Sequence, residues 1–401
     1  MMPERVKQGW RNWRFDQMAV MVNDRIDDPS EANVEHYVGL EHLDSYSLTI
    51  RRWGSPSDVE ATKLRFSAGD IIFGRRRVYQ RKLGVAHFDG ICSAHAMVLR
   101  AKPEICLPEF LPFFMQSDLF MERAKQISVG SLSPTINWKT LAKENFALPP
   151  LDEQRRTADL IAQCQIMVDR LRHASLCYRS VKLSVLRSAL AEAEADRSAA
   201  KVSIDNLGVP NESVLKTGPF GSKLKTDYFK KSGRPVITIG SITDEGLDGR
   251  GFFFLDLARV PEFADYETRP GDIVFSRVAD VGRCHLIKNA EQGFIVSSNL
   301  IRIRINPNVV RPAFLWLLLK FSCRTRADIG RLTSQAAGRL LVNTETMARL
   351  MFSLPAVDVQ DRVIGHYREI ETAGIDLANR TAKAVKLLTQ MTEEVIGVGY
   401  N

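Results

Sequence analysis

An internal repeat is the feature that most limits the folds open to this chain. The segment 136–156 returns without gaps as 342–362, with nine identities in 21 positions. Upstream, Gly69-Asp-Ile-Ile-Phe73 has a partner in Gly271-Asp-Ile-Val-Phe275, in the same order along the sequence. Such a repeat indicates two copies of one structural unit. The 401 residues are also too many for a single ordinary core.

Each repeated motif is followed by a long stretch without proline. In both stretches apolar residues alternate at spacings of four and three, which is typical of the seam of a coiled coil. An apolar stripe of this kind is expected to pack against another helix along its length. Two separate surface helices, each lying on its own domain, are the alternative. The residues predicted to form the helix-pair interface are Leu160, Cys164, Met167, Leu171, Tyr178, Val181, Val185, Val363, Tyr367, Ile370, Leu377, Ala384, Leu388, Met391 and Val395.

The segments before the two helices have the pattern of mixed α/β domains. Short β-branched runs bounded by Gly, Pro, Asn and Asp predict strands, and two stretches that begin with proline predict helices. We therefore expect a mixed α/β fold with two globular domains in pseudo-repeat, separated and joined by two long helices. The predicted boundaries are 1–150 for the first domain, 151–198 for the central helix, 199–355 for the second domain and 356–398 for the C-terminal helix.

Positive charge is concentrated in one segment of each repeat. Residues 63–82 hold seven Lys and Arg side chains against Asp70 alone, and residues 216–234 hold six against Asp227 alone. Together these excesses exceed the net charge of +8 of the whole chain. Loops of this kind can offer cations to phosphates and polar groups to base edges. A solvated charged loop is the alternative for either segment alone, but the duplication favours a protein that contacts DNA at two places.

The candidate DNA-contacting residues come from these two segments and from the strand that follows the second Gly-Asp-Ile motif. They are Arg75, Arg76, Arg77, Tyr79, Gln80, Arg81, Lys82, Lys216, Ser222, Lys223, Lys225, Tyr228, Lys230, Lys231, Arg277 and Arg283. The first apolar stripe, 160–188, would span about 42 Å as a helix. One turn of B-DNA is about 34 Å, so such a helix could hold two domains over major grooves one turn apart.

No catalytic signature in the sequence is convincing. Gly218-Pro-Phe-Gly-Ser-Lys223 lacks the spacing of a phosphate-binding loop, and the seven His form no H-E-x-x-H pair. The repeated Asp70 and Asp272 could suggest nuclease chemistry. We expect instead that they are turn residues whose carboxylates bond nearby backbone amides. The sequence thus predicts no catalytic residue, no metal site and no cofactor in this chain.

Cysteine usage and hydropathy indicate a cytoplasmic protein. The six cysteines show no C-x-x-C pair, and they are interpreted as reduced thiols. The start of the sequence lacks the apolar stretch of a signal peptide, and the longest apolar run, 313–319, is too short to cross a bilayer. No membrane partner is expected.

The order of these motifs resembles the specificity (S) subunit of type I restriction-modification systems. The resemblance is carried by Leu148-Pro-Pro-Leu-Asp-Glu-Gln154, by its copy at 354–360 and by the two Gly-Asp-Ile strands. Thr217-Gly-Pro-Phe-Gly-Ser-Lys-Leu224, followed by Gly233-Arg-Pro-Val-Ile237, also looks like the start of a target recognition domain of that family. The similarity covers nearly the whole chain.

The resemblance implies a non-catalytic subunit that recognises sequences in double-stranded DNA. It also implies that the protein acts in defence against foreign DNA. In that family each target recognition domain reads one half of a bipartite asymmetric site, and two antiparallel helices fix the spacer. The subunit recruits two methyltransferase (M) subunits, which use S-adenosylmethionine for adenine-N6 DNA methylation, and restriction (R) subunits, which are motor-nucleases using ATP and Mg. A standalone DNA-binding regulator or restriction decoy with the same domains is the alternative, and an enzyme with an unrecognised site is a further one.

Overall fold

The computed structural model describes residues 8–220, 223–336 and 339–397. The chain divides into two compact units, one formed by residues 1–173 with 378–401 and the other by residues 174–377. Each unit combines a mixed α/β domain with segments of both long helices. The first unit is therefore built from two separate parts of the sequence, whereas the second is continuous.

The first globular domain consists of short strands and helices. The strands are β1 (Arg11–Arg14), β2 (Ala19–Val22), β3 (Arg25–Ile26), β4 (Tyr37–Val38), β5 (Lys63–Phe66), β6 (Ile71–Gly74), β7 (Leu83–Val85), β8 (Gly90–Ser93), β9 (Ala96–Ala101) and β10 (Asn145–Leu148). The helices are α1 (Phe15–Met18), α2 (Leu111–Gln116), α3 (Asp118–Gln126) and α4 (Trp138–Leu141), with single 3-10 turns at Pro29–Ala32, Pro56–Asp58 and Val78–Gln80.

The first long helix, α5 (Leu151–Glu194), leads into the second domain. Its strands are β11 (Ala200–Ser203), β12 (Leu215–Thr217), β13 (Phe229–Lys230), β14 (Arg234–Ile237), β15 (Phe253–Leu255), β16 (Ile273–Ser276), β17 (Cys284–Leu286), β18 (Ile295–Val296), β19 (Leu300–Ile303), β20 (Ser334–Ala336), β21 (Arg339–Leu341) and β22 (Met351–Leu354). The remaining helices are α6 (Pro312–Phe321), α7 (Cys323–Leu332), α8 (Thr344–Ala348) and the second long helix α9 (Val357–Gly397). Stretches of 3-10 helix lie at Ile204–Leu207, Thr226–Tyr228, Ile239–Ser241, Gly249–Gly251, Leu257–Tyr266 and Asn289–Glu291.

The two domains share one sheet plan. Each has a two-stranded antiparallel sheet, β1-β10 or β11-β22, that joins the start of the domain to the strand before the long helix. Each has an antiparallel four-stranded sheet, in the order β2-β9-β6-β7 or β12-β19-β16-β17. A second four-stranded sheet, β3-β5-β8-β4 or β13-β15-β14-β18, contains one parallel pair in each domain. The second domain adds the hairpin β20-β21. The predicted mixed α/β pseudo-repeat is confirmed.

The Gly-Asp-Ile motif recurs because its strand is buried on both faces. In β6 the alternate residues Ile71 and Phe73 join the core formed with the helices, whereas Ile72 joins the core beneath the other sheet. In β16, Val274 faces away from Ile273 and Phe275 in the same manner. A strand buried on both sides reads as a continuous apolar run.

The aspartates of the two motifs have a structural role, as the sequence predicted. Asp70 accepts a hydrogen bond from the backbone N–H of Ser67 at 2.9 Å and pairs with both Nε and Nη2 of Arg100. Asp272 accepts from the backbone of Arg269 at 2.7 Å, and Arg304 pairs with it in the same two-pronged way. A buried carboxylate needs such partners.

A repeated glutamine anchors the start of each long helix. Gln154 is buried, accepts from the N–H of Leu107 at 2.9 Å, and donates to the carbonyls of Ile105 and Pro149. Gln360 accepts from the N–H of Arg311 and donates to the carbonyl of Pro355. Each side chain satisfies backbone groups that burial would otherwise leave without partners.

The two long helices pack against each other within each unit. In the first unit, Cys164 Sγ lies 3.9 Å from Met391 Sδ. In the second unit, the ring of Tyr178 lies over Gly374, and one turn later the Nζ atom of Lys182 lies 5.8 Å from the ring centre of Tyr367. Because residue numbers rise along one helix as they fall along the other, the packing is antiparallel.

The structure corrects the predicted seam of the first helix. Leu160, Met167, Val181 and Val185 are 45%, 60%, 57% and 44% exposed, so they do not lie in the interface. The inward positions are shifted by one residue and include Ile161, Val168, Lys182 and Leu186. The apolar pattern missed this register because polar side chains such as Lys182 occupy part of the true seam. Cys164, Leu171 and Tyr178 are half-buried, as a seam position requires.

The second helix has its predicted residues on the inner side. Val363 is buried, and Tyr367, Ile370, Leu377, Ala384, Leu388 and Met391 are half-buried. The side chain of Val395 lies outside the described part of the structure. Among the described residues, we find no helix with the length and hydropathy needed to cross a membrane.

Candidate nucleic-acid interface

The loop after β6 is held by backbone hydrogen bonds to two neighbouring segments. The N–H of Arg75 donates to the carbonyl of His95 at 3.2 Å, and its carbonyl accepts from the N–H of Ile136 at 3.0 Å. Two residues further on, Arg77 has a left-handed backbone, with φ of 53°. These bonds fix the direction in which three consecutive arginines leave the sheet.

The loop after β16 has the same frame. The N–H of Arg277 donates to the carbonyl of Asn299 at 3.0 Å, and its carbonyl accepts from Val342 at 2.9 Å. Ala279 again has a positive φ, of 63°. The repeat therefore extends beyond the buried strand to the loop at its end.

The arginines of the first loop are not neutralised by the domain itself. Within the described residues, Arg75, Arg76 and Arg77 form no ion pair with a carboxylate, and the buried Nε of Arg75 has no hydrogen-bond partner. Nη1 of Arg76 lies 3.2 Å from Nε2 of His95. Burial lowers the pKa of His95, and the positive charges of Arg76 and Arg75 lower it further. This cluster can take an anion without first breaking an internal ion pair.

Other cations of the first basic segment form hydrogen bonds and an ion pair within their own domain. Arg81 donates to the carbonyl of Gln116, pairs with Asp118 and lies over the ring of Tyr46. Lys82 donates to the carbonyl of Leu40 at 2.6 Å. Tyr79 is exposed and Gln80 is half-buried beside the arginines. Of this segment, residues 75–77 and Tyr79 thus remain available to a ligand.

The equivalent loop of the second domain is electrostatically different. The guanidinium of Arg277 donates to the carbonyls of Val342 and Ser298, and burial lowers its pKa. Arg283 pairs with Asp280 and donates to the carbonyl of Ile242. The two arginines predicted here are held by their own domain.

The basic segment of the second domain lies at another place in the fold. It runs from β12 through β13, at the edge of the other four-stranded sheet, whereas the arginines 75–77 of the first segment follow the central strand β6. Lys216, in β12, pairs with Asp265 at 3.1 Å. The ring of Tyr228 is covered by Arg259. The four remaining lysines are exposed and form no ion pair within the described residues; they are Lys223, Lys225, Lys230 and Lys231. Ser222 lies outside the described residues.

Exposed aromatic rings accompany these lysines, and they are not among the contact residues predicted from the sequence. Phe220 and Phe253 are both more than half exposed, and Phe253 stacks on Phe229 with ring centres 5.0 Å apart. Gly218 lies so close to β18 that a Cβ atom would sit 2.2 Å from the carbonyl oxygens of Val296 and Ser297. The glycine therefore allows the loop that carries Phe220 to start against the sheet. A search for aromatic residues between lysines would have identified Phe220.

The described residues contain no group of three or more His, Cys, Asp or Glu side chains placed to hold a metal ion. Burial raises the pKa of the thiols of Cys92 and Cys284 to about 12. It also raises the pKa of Cys106. These thiols are protonated at neutral pH, so none of the three provides a thiolate ligand or nucleophile.

Comparisons with known proteins agree on one family. The family described as "Type I restriction modification DNA specificity domain" matches residues 59–169. The EcoDI specificity subunit of a type I restriction enzyme from Escherichia coli is 26% identical over 190 residues, which are 46% of this chain and 42% of that protein. This chain thus matches less than half the length of that relative. The EcoKI specificity subunit from Escherichia coli strain K12 is 20% identical over 366 residues, covering 86% of this chain and 77% of that protein.

A solved structure shares the fold of this chain. A chain from a solved structure, whose description concerns complex assembly and conformational transition of a type I restriction-modification system, superimposes with a TM-score of 0.63 at 17% identity, covering 98% of this chain and 99% of that chain. The duplicated domains, the two long helices and these sequence matches make the chain similar to the specificity subunits of type I restriction-modification systems.

Proposed function

We propose that this chain recognises a bipartite, asymmetric site in double-stranded DNA, with one globular domain for each half-site. The observation that carries the proposal is that one sheet plan and one loop frame occur twice, in domains whose exposed side chains differ. Two similar domains with different surfaces suit a site made of two unlike halves. Affinity would come from cations at phosphates, and specificity from side chains at base edges.

The two domains would contact DNA with different elements. In the first domain we assign phosphate contacts to the unpaired arginines 75–77, with Tyr79 beside them. In the second domain we assign them to the exposed lysines between 223 and 231, with Phe220 beside them. The less exposed candidates, such as Arg81 and Arg277, would support these segments from within the domain.

The long helices would fix the spacer between the half-sites. A helix of 44 residues, as in α5, is about 66 Å long. This length corresponds to about two turns of B-DNA, which are about 34 Å each. Because the seam is antiparallel and closely packed at Tyr178 and Gly374, the pair would act as a stiff spacer.

The exposed apolar residues of α5 would recruit two methyltransferase subunits and, through them, restriction subunits. Leu160, Met167, Val181 and Val185 are apolar and more than 40% exposed on one helix, and apolar side chains that cluster on a surface are typical of a docking site. The chain itself would perform no chemistry. S-adenosylmethionine would bind to the methyltransferase subunits, and ATP and Mg to the restriction subunits. With genomic and incoming DNA as its ligand, the subunit would act in the cytoplasm, in defence against foreign DNA.

Selection of bound sequences from a random DNA pool tests this proposal. The chain is co-expressed with a type I methyltransferase subunit, and the purified complex selects from the pool. We expect two short, unlike motifs at one fixed separation. A single contiguous motif would favour a standalone DNA-binding regulator or restriction decoy, and recovery of no motif would refute DNA reading by the two domains.

A proline at Val168 tests the spacer separately. Val168 is buried in the seam of α5, and a proline there would cost about 3 kcal/mol or more of helix stability. We expect the two motifs to lose their fixed separation while each remains recognisable. The matched control is Val168→Ala, which leaves the helix backbone intact and should keep the separation. An unchanged separation in the proline variant would rule out the helix pair as the spacer.

A further inference from the structure

An uncharged loop lies directly beside the three unpaired arginines of the first domain. Residues 126–138 include no charged side chain, and residues 129–135 form a tight turn that we call the tip loop. Two backbone hydrogen bonds close it, from the N–H of Val129 to the carbonyl of Thr135 at 3.0 Å and in the reverse direction at 2.9 Å. Gly130 has a φ of 114°, in a region that favours glycine. The tip loop therefore has a defined backbone.

Backbone pairing joins the tip loop to the arginines. The N–H of Arg77 donates to the carbonyl of Pro134 at 2.8 Å, and Arg76 pairs with Thr135 in an antiparallel bridge. Because the two segments run in opposite directions, the residues that precede Pro134 lie beyond Arg77, on the side away from β6. A ligand held by the arginines would therefore also meet the tip loop.

The second domain repeats this attachment with different residues in the loop. The N–H of Ala279 donates to the carbonyl of Leu340 at 2.9 Å, and Val278 forms an antiparallel bridge to Leu341. At the offset of the repeat, residues 335–341 correspond to the tip loop, and no position is identical. The 21 positions that follow have nine identities. A retained attachment with unlike loop residues suits two domains that read unlike half-sites.

Leu132 occupies the end of the tip loop. Its side chain is 92% exposed, the highest value among the large apolar side chains that the structure describes, and Val129 at the base of the loop is 72% exposed. Single exposed apolar residues are common on protein surfaces, so exposure alone assigns no role to Leu132. Its place beside the unpaired arginines is what links it to DNA. Since a leucine side chain has no hydrogen-bonding group, its partner on DNA must be apolar.

We propose that Leu132 contacts the C5-methyl group of a thymine in the major groove, within the half-site read by the first domain. This methyl is an apolar group that the base edges display in that groove, and apolar side chains recognise it. The unpaired arginines hold the flanking phosphates and so bring the tip loop to the groove. The inference rests on the proposed function and names an element of the first domain that reads a base.

Replacement of thymine by deoxyuridine removes only this methyl group and tests the contact. The site selected from the random pool is synthesised with each thymine replaced in turn, and binding to the purified complex is measured by fluorescence anisotropy. For the wild type we expect an affinity loss of about fourfold at one thymine, as for one methyl group that is no longer buried. Leu132→Ala should bind the thymine and deoxyuridine forms of that site equally. Because Leu132 is exposed, this substitution should leave the fold intact.

The matched control is Leu257→Ala, since Leu257 is an exposed leucine of the second domain, outside the tip loop and its counterpart. This control should show the wild-type loss at the same thymine. If deoxyuridine weakens binding at no thymine, or weakens it equally in Leu132→Ala and the wild type, the inference is wrong although the bipartite site stands. If the pool yields no bipartite site, the proposed function fails first and the inference fails with it.

Discussion

Gly374 allows the two long helices to approach closely, and its replacement by alanine gives a strong test of their packing. A Cβ atom at this position would lie 2.4 Å from Cζ of Tyr178, whose hydroxyl donates to the carbonyl of Ile370 at 2.8 Å. Moving the ring costs about 1–3 kcal/mol in overpacking and about 1 kcal/mol for the hydrogen bond. The better helix propensity of alanine returns about 1 kcal/mol. We therefore expect Gly374→Ala to destabilise the chain by about 1–3 kcal/mol.

The same substitution should change sign when the ring is removed. In a Tyr178→Ala background only the propensity remains, so Gly374→Ala should stabilise by about 1 kcal/mol. The coupling between the two sites is then about 2–4 kcal/mol, measured as shifts of the urea midpoint followed by helical circular dichroism. A Cβ atom added at Gly365, in the same helix, would meet no atom within 4 Å, so Gly365→Ala is the control and should stabilise in both backgrounds. Equal effects of Gly374→Ala in the two backgrounds would refute close packing at this point.

Three further outcomes follow from the described contacts. Replacement of the three arginines at 75–77 by alanine should weaken DNA binding and reduce the slope of log affinity against log salt by up to about 3; an unchanged slope removes this loop from the interface. The lowered pKa of His95 favours its neutral form in the free protein, and a nearby DNA phosphate would raise that pKa back towards 6.5. A group with the higher pKa in the complex takes up a proton on binding, so affinity should rise as pH falls through this range, and His95→Asn should abolish the dependence in titrations from pH 8 to pH 6. Gln154→Leu should lower the free energy of unfolding by about 1 kcal/mol more than Gln360→Leu does. The first substitution leaves three backbone groups without a hydrogen-bond partner, and the second leaves two. Equal losses in thermal unfolding would contradict this assignment.

The sequence predicted the repeat and both helices because these depend on local apolar periodicity. It failed on the register of the first helix, where Lys182 is an inward residue through its ion pair with Glu371 and its position over Tyr367. An apolar pattern assigns a lysine to solvent, whereas the aliphatic stem of a lysine can pack along a seam. The second helix has fewer such exceptions on its inner face, so its predicted stripe coincides with the buried one.

The candidate interface was predictable in charge and only partly in position. The two basic segments look equivalent in the sequence, but one follows a central strand and the other runs along a different sheet. Ion pairs with carboxylates decide which cations remain available to bind DNA. The partners of Arg81 and Arg283 depend on the folded geometry, and a count of charges in the sequence does not reveal them.

The carboxylate of Glu393, near the end of α9, accepts hydrogen bonds from the backbone N–H of Asp118 at the start of α3. The last described turns of the chain therefore complete a unit whose other residues, up to residue 173, leave the ribosome long before them. During synthesis the continuous unit, 174–377, can fold as soon as it emerges, whereas the first must wait for residues 378–397. Until then the face of the first domain that receives α9 is uncovered, so a slow ribosome would prolong its exposure to chaperones and proteases.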